Sequence, residues 1–350
     1  MQVITPPQYK DEMVSGKSIN LTRSEYADRE CDSMKLLKPP RLAAGDTIGI
    51  VAPSHPVAPF QAMYNQGIAN LRSLGFQIKE GKTVKLQHEG YMAGTDQQRA
   101  EDLNGMFADE EVKAIVCALG GQVAVRTLRY LDFSLMKRNP KVFSGMSDIT
   151  TYHIAMLAKT GLSGLHQSDV TFAFGGEVHS KDTYERDLFL RITQNPEPLG
   201  VLPALTSWDA WREGSAKGRL FGGNMNSVQC LLGTNYIPRL TEDVIFFWES
   251  MTQPLSHIDQ KLAHFREAGL FDRTVGMLIG KIRGDEKGSE KDMTAEVKPV
   301  AVDIAEEFDF PVIAGMDFGH YTPNLPLPMW LKASMDTENL AVSIEEPYVV

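Results

Sequence analysis

The chain has little of what marks a secreted, membrane-spanning or nucleic-acid-binding protein. Its three cysteines, Cys31, Cys117 and Cys230, are too few and too far apart for a disulfide framework or a zinc site. No apolar run approaches the roughly 20 residues that span a bilayer, and no signal-peptide core is visible near residue 1. Lysine and arginine form no cluster, and the net charge is −10, which disfavours a nucleic-acid surface. We therefore expect a cytoplasmic protein without membrane or nucleic-acid partners.

What is present describes a folded protein of two domains. Of the 350 residues, 43% are hydrophobic and 23% are charged, which is typical of a globular chain with a large core. Residues 1–37 are polar and lack apolar periodicity, so we interpret them as a peripheral extension. Proline, glycine and polar residues dominate 196–217. This composition predicts a connector between one domain over 38–195 and a second over 218–350.

Short apolar strands alternate with amphipathic helices in the first domain. The predicted strands cover 47–52, 76–79, 114–119 and 141–145, and the predicted helices between them cover 60–74 and 97–107. This alternation predicts a parallel sheet with helices on both faces. In such sheets, sites are built by the loops at the carboxyl ends of the strands.

One of these loops has the pattern of a nucleophile elbow. A Gly-Gly pair at 120–121 ends the apolar strand 114–119, and a helical pattern begins at Val125. In a nucleophile elbow the residue at the bend is exposed, and nearby N–H groups can hold an oxyanion. The four residues after the glycines are Gln-Val-Ala-Val, and none of these side chains can attack a carbonyl. The elbow therefore lacks its expected nucleophile.

Two polar residues follow apolar strands in the second domain. Glu249 ends the apolar run 244–248, and His320 comes shortly after the predicted strand 311–314. A carboxylate at the end of a buried strand is costly unless it has a partner. Each residue could be an ordinary loop residue. Together they suggest a carboxylate that orients an imidazole general base, a pairing that only the fold can create.

Six segments occur in the order found in the LD-carboxypeptidase family, and this resemblance extends from about residue 38 to the C-terminus. The segments are GDTIGIVAPS, the strand and Gly-Gly turn with its RTLRYLD continuation, GMSDIT, GRLFGGNMNSVQCLLGT, the apolar strand ending at Glu249, and FGHYTPNLPLP. The family includes muramoyl-tetrapeptide LD-carboxypeptidases and microcin C self-immunity proteins.

The resemblance implies an α/β fold with an active site between two domains. The N-terminal domain would hold a flavodoxin-like parallel sheet, the smaller C-terminal domain would also be α/β, and the protein would be a homodimer. The implied activity is that of a serine-type carboxypeptidase or amidase that hydrolyses short peptides or peptide conjugates through a Ser-His-Glu triad. No metal and no cofactor are expected.

The resemblance also assigns site residues. Glu249 falls on the triad carboxylate and His320 on the triad base. The nucleophile should lie three residues after the second glycine, where this chain has Ala124. The N–H groups of Gly121 and Val125 should form the oxyanion hole. Three further residues fall in segments that line the cleft and are expected to bind substrate, namely Ser147, Asp148 and Asn224.

Three explanations of Ala124 stay open. An introduced Ser→Ala substitution would leave Glu249 and His320 intact, and it predicts an inactive chain that Ala124→Ser reactivates. A natural loss would make the chain a pseudoenzyme that binds peptides without cleaving them. A relocated nucleophile is the third explanation, and the nearest hydroxyl candidates are Ser144, Ser147 and Thr127.

The substrate class stays open as well. The family often has His-Gly-Pro where this chain has His-Gln-Ser at 166–168. Microcin immunity proteins carry a tryptophan in the following loop, and this chain has none over 175–188. The resemblance is therefore compatible with a murein peptide, with a microcin-like peptidyl-nucleotide and with another conjugate.

Overall fold

The chain alternates strands and helices up to residue 194, and strands dominate beyond it. The computed structural model describes residues 35–166, 169–176, 183–251, 254–286, 289–321 and 324–350, of which 285–286 and 289–290 are described by their backbone alone. The predicted extension 1–37 lies outside these ranges except for its last three residues. The strands are β1 (Thr47–Val51), β2 (Gln77–Glu80), β3 (Val112–Cys117), β4 (Val142–Gly145), β5 (Leu165–His166), β6 (Gly200–Val201), β7 (Asp209–Arg212), β8 (Ser215–Asn224), β9 (Val244–Glu249), β10 (Thr274–Lys281), β11 (Arg283–Glu286), β12 (Ser289–Asp292), β13 (Val312–Gly319), β14 (Leu327–Pro328), β15 (Lys332–Asp336) and β16 (Ala341–Ile344). The α-helices are α1 (Gln61–Ser73), α2 (Asp96–Ala108), α3 (Phe133–Arg138), α4 (Thr150–Thr160), α5 (Tyr184–Gln194), α6 (Met225–Leu231), α7 (Leu255–Glu267) and α8 (Lys298–Glu307).

The first sheet has the strand order β2-β1-β3-β4-β5-β14. Its first five strands are parallel, and β14 is antiparallel to β5. The apolar run of β3 is buried at five of its six residues, as expected of a strand with helices on both faces. The order reverses between β1 and β3, so the loops that follow these two strands diverge and leave a crevice. This topology confirms the predicted flavodoxin-like parallel sheet.

The second sheet has the strand order β6-β16-β15-β8-β9-β10-β13-β7. The four central strands, β8, β9, β10 and β13, are parallel to one another. The strands next to them, β15 and β7, are antiparallel to these four. The predicted connector 196–217 supplies β6, β7 and the start of β8, so this segment is part of the second sheet rather than a free linker. The mixed α/β architecture with two sheets confirms the predicted fold class.

Two local predictions differ from the structure. The residues after the Gly-Gly turn form a 3-10 helix (Ala124–Tyr130) rather than an α-helix. The side chain of Asp132 then caps α3 by accepting from the N–H of Leu135, so the α-helix begins later than predicted. The charged composition of 281–291 predicts a solvated surface loop, whereas the structure has most of the hairpin β11–β12 in this segment. No helix in the described ranges has both the length and the apolar character needed to cross a bilayer.

Candidate active site

Three parallel strands of the second sheet end at polar residues. β8 ends at Asn224, β9 ends at Glu249, and His320 follows β13. The carboxyl ends of parallel strands lie at one edge of a sheet, so the topology brings these side chains together. The Nδ2 of Asn224 donates to Oε1 of Glu249 at 2.8 Å, and Nδ1 of His320 lies 2.6 Å from Oε2 of Glu249. The predicted Glu–His pair is therefore formed, with an amide on the second carboxylate oxygen.

The other imidazole nitrogen faces a serine of the first sheet. Nε2 of His320 lies 3.0 Å from Oγ of Ser147. Ser147 is partly exposed between the buried residues Met146 and Asp148. Its φ of 59° lies in the left-handed region, which is strained for a residue with a Cβ. A strained serine between a buried strand, β4, and a helix, α4, is the geometry of a nucleophile elbow.

Ala124, at the expected nucleophile position, is a core residue. Its side chain is fully buried in the core, and its N–H donates to Oδ2 of Asp148 at 2.8 Å. The hydroxyl at His320 belongs instead to Ser147, one of the three alternatives weighed from the sequence. Of the other two, Thr127 donates its hydroxyl to the carbonyl of Ala124, and Ser144 is fully buried within β4.

Glu249 is fully buried, yet it is well suited to carry a negative charge. Burial by itself raises the pKa of this carboxyl. The attraction of the His320 imidazole, the hydrogen bond from that ring and the hydrogen bond from Asn224 outweigh burial, and the net pKa lies below its usual value. The His320 side chain is 14% exposed, so the imidazole is partly open to solvent and substrate.

Gly319 permits the close approach of His320 to Glu249. Its φ is 125°, a conformation that strongly favours glycine. A Cβ at this position would lie 2.7 Å from the carbonyl oxygen of Lys281 and 3.3 Å from Cβ of Glu249. The N–H of Gly319 donates to Oδ1 of Asn324 at 2.8 Å. The turn into His320 is therefore fixed by packing and by a buried amide.

Asp148 ties the loops of the first sheet to the elbow. Its Oδ2 accepts from Oγ of Ser54 at 2.5 Å, from the N–H of Val123 at 2.7 Å and from the N–H of Ala124 at 2.8 Å. Burial raises the pKa of Asp148, while these three donors oppose that shift. Asp148 and Asn224 were expected to bind substrate. The structure shows both engaged in organising the site, and contact with a substrate stays a prediction.

The glycine turn passes directly beside Ser147. A Cβ on Gly120 would lie 2.8 Å from Cβ and 3.2 Å from Oγ of Ser147. In the part of the chain that the structure describes, no hydrogen bond occupies the N–H groups of Gly121 and Gln122. Val125 lies in the first turn of the 3-10 helix. The oxyanion roles of Gly121 and Val125 stay predictions.

Two histidines and a carboxyl are buried behind the site. Nε2 of His153 donates to the carbonyl of Gly145 at 2.8 Å, and the ring of His166 packs 5.4 Å from that of Phe247 in the second sheet. Burial lowers the pKa of His153 to about 3 and that of His166 to about 4. Burial raises the pKa of Asp169 to about 7, against the backbone N–H groups that it accepts. The two histidines are thus uncharged near neutral pH.

The sequence matches the models of one family over both halves. Residues 48–167 match the LD-carboxypeptidase N-terminal domain, and residues 217–335 match the LD-carboxypeptidase C-terminal domain. The chain is 32% identical over 311 residues to a probable murein peptide carboxypeptidase of Bacillus subtilis (strain 168), covering 88% of this chain and 94% of that relative. It is 26% identical over 334 residues to the microcin C7 self-immunity protein MccF of Escherichia coli, covering 88% and 95%.

A solved structure gives the same result. An MccF-like protein from Bacillus anthracis str. Ames superposes with a TM-score of 0.79 at 29% identity, over 89% of this chain and 99% of that one. Matches in both halves, together with agreement in fold, confirm the resemblance inferred from the six ordered segments. The chain therefore belongs to the LD-carboxypeptidase family, a family of carboxypeptidase-like serine hydrolases that act on peptides.

Proposed function

We propose that this chain is an active serine peptidase with Ser147 as nucleophile, His320 as general base and Glu249 as the orienting carboxylate. The observation that carries the proposal is the unbroken chain of contacts from Oγ of Ser147 through the imidazole to the buried carboxylate. The substrate would be a short peptide or peptide conjugate, cleaved at the amide bond next to its terminus. This proposal replaces the expectation that Ala124 makes the chain inactive.

The geometry supports the usual steps of serine hydrolysis. Oγ of Ser147 attacks the carbonyl carbon while Nε2 of His320 takes its proton, and the Glu249 carboxylate stabilises the imidazolium that forms. The imidazolium then protonates the leaving amine, which departs and leaves an acyl group on Ser147. A water molecule, deprotonated by the same imidazole, hydrolyses this ester and restores the serine.

The tetrahedral intermediate needs donors for its oxyanion. In a nucleophile elbow the N–H of the residue after the nucleophile is one donor, and a neighbouring loop supplies the other. Here these groups are the N–H of Asp148 and an N–H of the glycine turn, at Gly121 or Gln122. The prediction of Val125 depended on Ala124 being the nucleophile. Asp148 takes the equivalent place once Ser147 has that role.

Three proteins test the assignment of the nucleophile: the unchanged chain, Ser147→Ala and Ala124→Ser. We expect the unchanged chain to release the terminal amino acid from a murein-type tetrapeptide, and Ser147→Ala to lose all but a residual rate about 10³–10⁴-fold over water. Ala124→Ser should give no gain, because the Ala124 side chain is fully buried in the core and a hydroxyl there would be shielded from substrate. A fluorophosphonate should label the unchanged chain at Ser147, as mapped by mass spectrometry of its peptides.

The same proteins separate the remaining alternatives. Binding of the tetrapeptide by calorimetry without any turnover would favour the pseudoenzyme. Activity that appears only in Ala124→Ser would restore the original assignment. A peptidyl-nucleotide conjugate, tested beside the tetrapeptide, distinguishes the two substrate classes for which the relatives are named. EDTA should leave the rate unchanged, since no step above requires a metal.

A further inference from the structure

A fully buried arginine, Arg99 of α2, lies beneath the loops that follow β1 and β3. Its Nη1 donates to the carbonyl oxygens of Pro53 at 2.8 Å and of Val123 at 3.2 Å. Its Nη2 donates to Oδ1 of Asp96 at 2.6 Å. Pro53 follows β1, and Val123 belongs to the glycine turn after β3. One guanidinium therefore joins the two loops at the crevice where the strand order reverses.

Stability alone does not explain a charge at this place. The Arg99 side chain is 0% exposed, and its Nε has no acceptor among the described residues. Its carboxylate partner Asp96 is 22% exposed, so the pair is only partly shielded from water. Buried ion pairs of this kind can often be replaced by apolar side chains without loss of stability. What the guanidinium supplies is two directed bonds to loop carbonyls.

These bonds hold one peptide segment from both sides. The carbonyl of Val123 accepts from Arg99, while its N–H donates to Asp148, the residue after Ser147. Each residue has only two soft backbone torsions. Fixing both polar groups of Val123 therefore limits the directions open to the preceding peptide groups, which carry the N–H of Gly121 and of Gln122.

We propose that Arg99 is a positioning residue for the reaction, which fixes the glycine turn so that its N–H groups point at the oxyanion forming on the substrate of Ser147. The inference rests on the proposed function. Oxyanion donors are effective because they are already in place when charge develops. A displacement of about 1 Å costs about 100-fold in rate. Loss of Arg99 should therefore act on the transition state more than on substrate binding.

The test compares Arg99→Met with Arg126→Met as a matched control. Arg126 pairs with the same carboxylate, with its Nε 3.0 Å from Oδ1 of Asp96, but its side chain is 50% exposed. We expect Arg99→Met to lower kcat per titrated serine about 100-fold, with KM within about threefold of the unchanged chain. Arg126→Met should keep both values. The number of competent serines is measured by endpoint titration with a fluorophosphonate.

Titration separates positioning from folding. If Arg99 were merely structural, its loss would reduce the number of titratable serines and leave kcat per serine unchanged, and that result would overturn the inference. An equal fall in Arg126→Met would overturn it too. Arg99→Lys provides a variant that keeps the charge but not the two-pronged geometry. It should lose about tenfold in kcat and remain below the unchanged chain, and full activity in this variant would also contradict the inference.

The failure of the proposed function gives a different result. In that case the unchanged chain would neither titrate at Ser147 nor hydrolyse the tetrapeptide and the nucleotide conjugate, and both proposals would fall together. A different pair of results would overturn only the role of Arg99. In that case the unchanged chain would be titrated by the fluorophosphonate and would hydrolyse the substrate, and Arg99→Met would have the same kcat per titrated serine.

Discussion

Glu249 supplies the negative charge of the proposed triad. It is fully buried, and both of its oxygens are used, one by His320 and one by Asn224. A fully buried carboxylate survives as an ion only because these partners replace water. Its negative charge therefore lies in direct contact with the His320 imidazole, which becomes positive in the proposed reaction.

Glu249→Gln should remove most of the activity while leaving the fold intact. The amide has nearly the same shape but no charge, so it cannot stabilise the imidazolium, and its N–H₂ group disfavours the required tautomer of His320. We expect kcat to fall about 10³–10⁴-fold. Steady-state kinetics on the same tetrapeptide measure this.

A matched control uses a carboxylate in an outer ion pair. Glu242→Gln removes the charge that pairs with Arg219, whose Nε lies 3.0 Å from Oε2 of Glu242. It should leave kcat unchanged, because Arg219 lies in the middle of β8 and Glu242 precedes β9, whereas Asn224 and Glu249 lie at the other ends of these strands. A Glu249→Gln variant with a kcat within about tenfold of the unchanged chain would show that the carboxylate is not part of the machinery.

The sequence was informative about individual residues, and our proposal departs from it at one of them. Glu249 and His320 could be predicted because each follows an apolar strand within a recognised segment. The resemblance placed Ser147 in the cleft and put the nucleophile three residues after the Gly-Gly turn, at Ala124, which is fully buried in the structure. Our proposal gives that role to Ser147. The better signal was Gly145-Met146-Ser147 itself, a turn after a buried strand with a hydroxyl at the bend. Sequence spacing alone cannot show which of two neighbouring turns faces a base from another sheet.

At the scale of elements, the turn after β13 sets the position of the imidazole. Gly319 lies where a side chain would collide with the backbone of β10 and approach Glu249 on β9. Its φ of 125° also excludes most other residues. The geometry around His320 therefore depends on the packing of three strand ends as much as on polar side chains.

Gly319→Ala should displace His320 and lower both stability and rate. We expect a loss of about 2–3 kcal/mol in the free energy of unfolding, because a left-handed backbone strain adds to a collision with a carbonyl oxygen. The displaced imidazole should lower kcat at least about tenfold. Urea unfolding and tetrapeptide kinetics measure the two effects.

Gly315→Ala on the same strand is the control for backbone strain. Gly315 has φ 73°, but the nearest atom to an added Cβ is 4.0 Å away. This variant should lose about 1 kcal/mol of stability without a change in kcat. Equal losses of activity in the two variants would show that strain in β13, rather than the place of His320, controls the rate.

Predictions of elements from sequence were good where the apolar pattern was continuous and poor where contacts between segments far apart in sequence decide the structure. The strand predicted over 244–249 coincides with β9. The connector 196–217 was predicted as a linker because its composition is rich in turn-forming residues. In the structure, Asp317 of β13 accepts from the N–H groups of Leu205 and Thr206 and from Nε1 of Trp208. One buried carboxylate thus draws this segment onto the second sheet, a contact between residues more than a hundred positions apart.

At the scale of the whole molecule, acid should weaken the contact between the two sheets. His166 of the first sheet packs against Phe247 of the second, and burial holds its pKa at about 4. The unfolded chain binds a proton on this histidine near its ordinary value of about 6.5, while the folded chain does not. The contribution of neutral His166 to stability is therefore complete above the unfolded pKa of about 6.5. It is lost as the pH falls toward the folded pKa of about 4.

His166→Phe should make stability less dependent on pH. Between pH 6 and pH 4.5 a histidine with these two pKa values lowers the free energy of unfolding by about 1 kcal/mol for each unit by which the pH falls. The unchanged chain also carries His153, which acts in the same direction, and Asp169, which acts in the opposite direction because its folded pKa is raised to about 7. The difference in slope between the unchanged chain and His166→Phe isolates one histidine. It is measured by urea unfolding across this range.

An exposed histidine provides the control. His264→Gln changes an exposed side chain of α7. The free energy of unfolding of this variant should follow that of the unchanged chain across the same pH range. If the stability of His166→Phe has the same pH dependence as that of the unchanged chain, the burial of His166 does not contribute to it. The acid sensitivity would then come from other groups.

The placement of β14 has a consequence during synthesis and folding of the chain. Ser147 and His320 are 173 residues apart in sequence, and His320 lies between β13 of one sheet and β14 of the other. While a ribosome is still making the second half, the serine is already present but has no base, and it is no more reactive than a serine on any surface. On the proposed mechanism, even a completed chain can hydrolyse a peptide only after both sheets have packed around Ser147 and His320. The same mechanism predicts that truncated or partly folded copies cleave no peptides.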